Sequence, residues 1–141
     1  MSFFLKKYKI SSSSGNFTTS NTSYTAVTNL SLSFTTDGKH PVFIGLINDA
    51  SGNPSTIGPN NATFADPSCT LKFLRGATNI GEHTVRGLFG AEVVNRIHQC
   101  GNMFVIEVPA AGTYTYSVEV KVADAAHTAT VNYVKLVVLT L

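Results

Sequence analysis

Charged residues are scarce in this chain, and tryptophan is absent. Of its 141 residues 13% are charged, and the net charge is +2. The ten basic residues are scattered, apart from Lys6, Lys7 and Lys9 near the N-terminus. A nucleic-acid-binding protein normally carries a clustered basic surface, so the composition argues against nucleic acid as a partner.

Long apolar runs are also missing. A transmembrane helix needs roughly 18 or more apolar residues in succession, and no window of the sequence approaches that length. At the N-terminus a short apolar patch, Phe3–Leu5, precedes the lysines, whereas a secretory signal has a basic start followed by about 7 to 15 apolar residues. We therefore expect neither membrane insertion nor export.

Residue patterns that carry catalysis or bind metal ions do not occur. The four histidines lie in separate segments without the spacing of a zinc site. Nucleophile-elbow, phosphate-loop and dinucleotide motifs are absent, and the eight acidic residues do not pair as acid and base. We predict no catalytic residue, no metal-binding residue and no cofactor. A metal ion on a symmetry axis stays open.

Two cysteines, Cys69 and Cys100, are too few for a zinc quartet. A chain of this size folds without disulfides, because it buries about 68 to 70% of its unfolded surface. Buried thiols and a disulfide both stay open, and the lack of an export signal favours thiols.

Alternating apolar and polar residues are the dominant pattern. From Thr113 to Val122 they alternate as in a strand with one buried face, and Leu30, Leu32 and Phe34 do the same. Eight or more such short segments are separated by turn signals, among them Arg75–Thr78, and no convincing long helix occurs. Residues 81–99 stay largely unassigned. The pattern predicts a single all-β domain, an antiparallel β-sandwich.

Residues 129–141 differ from these segments, because their odd-numbered and even-numbered positions are both mainly apolar. If they form one continuous strand, Val134, Leu136 and Val138 point away from the side that carries Ala129 and Val131. The second side needs a cover, either another layer of the same chain or other subunits. We expect subunits, with aromatic residues of the terminal strands nearby. The predicted interface residues are Tyr114, Tyr116, Tyr133, Val134, Leu136 and Val138.

Two segments are expected to lie outside the core. Residues 1–15 read as a flexible arm, either a frayed end or a docking segment that uses Phe3, Phe4, Leu5 and Tyr8. Residues 48–62 are rich in turn-forming types and predict a long loop. Its amides and carboxylate suit the recognition of sugar hydroxyls. The candidate ligand residues are Asn48, Asp49, Asn53, Asn60 and Asn61.

Two segments resemble a known family. The stretch Pro-Ala-Ala-Gly-Thr-Tyr-Thr-Tyr-Ser-Val at 109–118, with the final Lys-Leu-Val-Val-Leu-Thr-Leu, is similar to the closing strands of the tumour-necrosis-factor and complement-globular-head jelly rolls. Residues 24–36 resemble their opening strands, so the likeness spans residues 16–141. Bacteriophage tail-tip, fibre-head and decoration proteins carry similar domains.

The resemblance implies a jelly-roll topology and a compact homotrimer. It further implies a non-enzymatic virion structural protein, assembled in the host cytoplasm, that docks on other virion proteins through its arm. Such a tail, fibre or capsid-decoration module would bind a host-surface receptor or glycan. A lectin-like carbohydrate-binding module and a glycan-modifying enzyme are the alternatives.

Overall fold

The computed structural model describes residues 7–60, 67–88, 96–97 and 103–141, which form β-strands and contain no helix. The prediction of an all-β chain is therefore confirmed for these residues. The strands are β1 (Tyr8–Ile10), β2 (Asn16–Thr19), β3 (Thr25–Thr36), β4 (Val42–Asn48), β5 (Thr56–Asn60), β6 (Ser68–Arg75), β7 (Thr78–Leu88), β8 (Arg96–Ile97), β9 (Phe104–Glu107), β10 (Gly112–Val122), β11 (Thr128–Asn132) and β12 (Val134–Thr140).

The strands form three sheets, and every pairing within the described ranges is antiparallel. One sheet has the order β1-β12-β4-β9, the second β3-β10-β6-β7-β8 and the third β2-β11-β5. Residues from all three sheets contribute to one hydrophobic core. This arrangement is consistent with the predicted β-sandwich.

The core is built by the alternation that the sequence shows. In β10 the side chains of Tyr116, Val118, Val120 and Val122 are buried to 1% exposure or less. The residues that alternate with these in β10 are polar, as expected for a strand with one solvated face. The turn predicted after Arg75 is also present, because β6 and β7 form a hairpin whose ladder closes with Arg75 opposite Thr78.

The long loop predicted over residues 48–62 is shorter than expected, because β5 forms within it. Pro59 obscures this strand in the sequence, since proline lacks the N–H that a ladder requires. Strand β5 lies at the edge of its sheet, where one side of the backbone needs no partner. Residues 81–88, which the sequence left unassigned, continue β7.

Part of the predicted flexible arm belongs to a sheet. Residues 8–10 form β1 and pair with β12, placing Tyr8 opposite Leu139 and Ile10 opposite Val137. Ser11 and Ser14 follow and are buried. Phe3, Phe4 and Leu5 lie outside the described residues.

The predicted orientation of the terminal run is wrong, because the run contains a break at Tyr133. This residue has a φ of 54°, in the left-handed region, and it separates β11 from β12. The break shifts the parity, so that Val134, Leu136 and Val138 share the core with the buried residues of β11. They face the chain's own core, and not a neighbouring subunit.

This orientation can be tested with one residue type on the two faces of β12. Leu136→Ala removes a fully buried side chain and should lower the free energy of unfolding by about 2 to 5 kcal/mol. Leu139→Ala, on the outward side of the same strand, should cause a clearly smaller loss. Urea denaturation of the monomeric chain measures both, and equal losses would contradict the assignment.

Candidate functional site

The outward side of the β1-β12-β4-β9 sheet is apolar across all four strands. The antiparallel ladders align its residues in two rows. One row contains Tyr8, Leu139, Phe43 and Ile106. The next contains Ile10, Val137, Gly45 and Phe104. Ile47, Val108 and Leu141 extend this surface, which we call the apolar face.

The exposed large hydrophobic residues of the described chain are concentrated on the apolar face. Tyr8 is 68% exposed, Val108 56% and Ile106 52%. The others are Ile10, Ile47, Phe104 and Leu141. Single exposed apolar residues are common on protein surfaces, but a contiguous set on one sheet indicates an interaction surface.

A glycine allows two aromatic rings to lie across the middle of this face. Phe43 and Phe104 stack with ring centroids 5.2 Å apart and an interplanar angle of 23°. A Cβ atom at Gly45 would lie 2.7 Å from the Phe43 ring, so a larger residue would displace that ring. Glycine thus leaves room for the stacked rings.

The apolar face is bounded at one end by charge. Among its described outward residues on the four strands, Lys135 is the charged one, and it pairs in register with Ile47. The positive charge of Lys135 interacts electrostatically with the Asp49 carboxyl. Hydrogen bonds from Ser13 and Ser51 lower the pKa of the Asp49 carboxyl, and the charge of Lys135 adds to that effect.

The predicted interface residues do not form a single surface. Tyr116 is completely buried, whereas Tyr114 and Tyr133 are partly buried. Phe104, Ile106 and Val108 alternate with other residues in the sequence, and their side chains face outward. Alternation reveals that two sides of a strand differ, but the side that meets the core depends on distant strands.

The polar loop predicted to bind a ligand uses its side chains internally. The Asn48 amide donates to the Asn53 carbonyl at 3.1 Å and to the Ser55 hydroxyl at 2.7 Å. Asp49 accepts a hydrogen bond of 2.6 Å from the Ser13 hydroxyl. These contacts hold the loop against the arm. Asn61 and the side chain of Asn60 lie outside the described residues.

A charged network joins the two larger sheets at one end. Glu107 accepts hydrogen bonds from Arg75 and, at 3.1 Å, from the hydroxyl of the buried Tyr116. Burial raises the pKa of the Tyr116 phenol, and the negative charge of Glu107 raises it further. The Arg75 guanidinium also lies 5.3 Å from the centre of the Tyr114 ring. Every polar group in this network has a structural partner.

Glu107→Ala should therefore be more destabilising than the loss of a carboxylate from a lysine ion pair. It leaves the buried Tyr116 hydroxyl without its acceptor, which costs about 1 to 3 kcal/mol. The matched control is Glu119→Ala, a partly buried carboxylate whose partner Lys72 lies 3.4 Å away, and its loss should cost about 1 kcal/mol or less. Chemical denaturation of both variants gives the comparison, and a larger loss for Glu119→Ala would refute it.

Potential catalytic and metal-binding side chains are dispersed. Cys69 is a buried free thiol whose pKa is raised to about 12 by burial, so it is not a thiolate at neutral pH. Cys100 lies outside the described residues. Burial also lowers the pKa of His83, which packs edge-on against Phe73. Residues 7–60, 67–88, 96–97 and 103–141 contain no group of three or more potential metal ligands.

The outward side of the β3-β10-β6-β7 strands is polar, in contrast to the apolar face. Its hydroxyls pair across strands: Thr35 with Thr113 at 2.8 Å, and Thr70 with Thr84 at 3.1 Å. Two residues from Thr70, the Lys72 ammonium lies 3.9 Å from the centre of the Tyr24 ring. The two larger sheets thus present surfaces of opposite character.

In the described part of the chain, no helix has the length and apolar character to cross a membrane. No protein-family model matches the chain, and no curated protein is significantly similar to it.

Proposed function

We propose that the chain is a non-enzymatic structural protein of a virion, and that it assembles as a homotrimer through the apolar face. The observation that supports assembly is the concentration of exposed hydrophobic residues on this face. Burial of apolar surface is the main driving force of association, and a second copy of the same chain is always present to supply it.

The size of the apolar face supports a stable contact. If a large apolar side chain has about 200 Å² of surface, the exposed fractions of its seven most exposed residues amount to roughly 700 Å². Monomers rarely expose apolar patches beyond about 300 to 600 Å², and a standard interface buries about 800 Å² per partner. The face therefore approaches a full interface before any polar rim is counted.

The pairing of the strands supports a jelly-roll topology. Strand β1 pairs with β12, β2 with β11, β3 with β10, β4 with β9 and β6 with β7. The pairs are nested, so the chain is one long antiparallel hairpin folded over on itself. A jelly roll has this wrapped arrangement. Nested pairing thus agrees with the resemblance noted in residues 109–141.

The resemblance supplies the more specific parts of the proposal. Trimers, rather than dimers, are typical of the tumour-necrosis-factor-like jelly rolls, and the phage relatives of that fold are tail, fibre or decoration proteins. In this proposal the segment before Tyr8 attaches the module to another virion protein. A host-surface receptor or glycan would be met by the surfaces that remain outside the trimer.

Light scattering after size-exclusion chromatography tests the assembly. We expect a mass of about 45 kDa, three times the 15.0 kDa of one chain. Ile106→Asp places a charge on the apolar face and should give a monomer, because an unpaired buried charge costs several kcal/mol. Ala77→Asp, in the exposed β6–β7 turn, is the control and should remain a trimer. A monodisperse wild-type monomer at micromolar concentration would rule the trimer out.

The paired hydroxyls on the polar side favour a lectin-like module as the second candidate. Hydroxyls and an aromatic ring are groups that bind sugars, and Tyr24 lies on that side. A glycan array probed with the assembled protein tests for sugar binding, and a blank array would favour a purely structural role. Binding that is lost in Thr84→Val, two residues from the Glu82 that accepts the Tyr24 hydroxyl, but retained in Ala77→Asp would favour a sugar-binding role.

A further inference from the structure

The segment from Lys7 to Gly15 is attached along nearly the whole of β12. Beyond the β1 ladder, the Ser11 amide donates to the Leu136 carbonyl at 2.8 Å, and the Ser11 hydroxyl accepts from the Leu136 amide at 2.9 Å. Ser14 repeats this two-way contact with Val134, at 2.9 and 3.3 Å. Serine side chains thus complete the hydrogen bonds that the ladder leaves unmade.

Little apolar contact within the chain secures β1 itself. The strand has three residues and is an edge of its sheet. Tyr8 is 68% exposed and Ile10 47%, and both side chains lie on the apolar face in register with β12. Short edge strands with few buried contacts open at low free energy.

A partner bound to the apolar face shifts the equilibrium between docked and undocked β1. A second copy of the chain that covers the face buries Tyr8 and Ile10, and it meets the complete surface only when β1 is docked. Whatever stabilises the docked strand then strengthens association, and association stabilises the docked strand by the same free energy. The segment before Tyr8 is directly connected to this element.

We infer that β1 is part of the subunit contact and that its docking on β12 is coupled to assembly. The inference rests on the proposed function, because it requires that copies of the chain meet at the apolar face. It assigns the N-terminal segment a second role. The segment does not only tether the module; it also completes the surface through which the module assembles.

Ser11→Ala separates docking from direct contact. The Ser11 side chain is buried beside Leu136, away from the apolar face, so the substitution weakens only the attachment of the arm. We expect it to raise the dissociation constant of the assembly about tenfold. The matched control is Ser12→Ala, an exposed neighbour of the same type, which should leave the constant unchanged. Sedimentation over a dilution series measures both.

Hydrogen exchange provides a readout that needs no change in the arm. Amides of residues 8–11 should exchange at least about tenfold faster in the Ile106→Asp monomer than in wild-type assemblies, whereas core amides such as that of Val120 should not differ before global unfolding. Equal exchange in the two states, or equal dissociation constants for the two serine variants, would overturn the coupling while leaving assembly intact. A wild-type protein that never associates would instead remove the proposed function.

Discussion

The structure depends on the two apolar sides of β12, which cannot both enter the one core that the described residues form. Successive side chains of a strand point to opposite sides, so no rotation can bury Leu136 and Leu139 in the same core. The backbone break at Tyr133 determines which side of β12 enters the core, because it turns Leu136 inward. The remaining side joins the outward residues of β1, β4 and β9, and the apolar face is the result.

The N-terminal segment satisfies the second requirement of β12, which is its backbone. A central strand needs partners on both edges, and β4 supplies only one of them. Residues 7–15 provide the other, partly through a ladder and partly through serine hydroxyls. The tract of four serines, which in sequence reads as a flexible linker, therefore has a specific structural use. Small polar side chains fit there because they bond to the backbone without adding bulk.

Sequence reasoning succeeded where the controlling physics is local. The alternation in β10 and the hairpin turn after Arg75 follow from side-chain periodicity and turn chemistry. It failed where distant contacts decide. Nothing near Tyr133 reveals a left-handed residue, so the parity of β12 was assigned backwards, and the outward direction of Ile106 depends on its pairing with β4. The apolar face combines residues from four separate segments, and only the sheet order brings them together.

The edges of the apolar sheet favour the proposed association through the face over pairing at the edges. Exposed sheet edges invite endless edge-to-edge pairing, and proteins oppose it with short edge strands, charges and inward-pointing polar residues. Strand β1 has three residues and carries Lys9, while β9 has four and directs Glu107 inward to Arg75. Neither edge is a good template for another strand. With both edges protected, the proposed association is expected to bury the face, whereas pairing at the edges would continue into fibres.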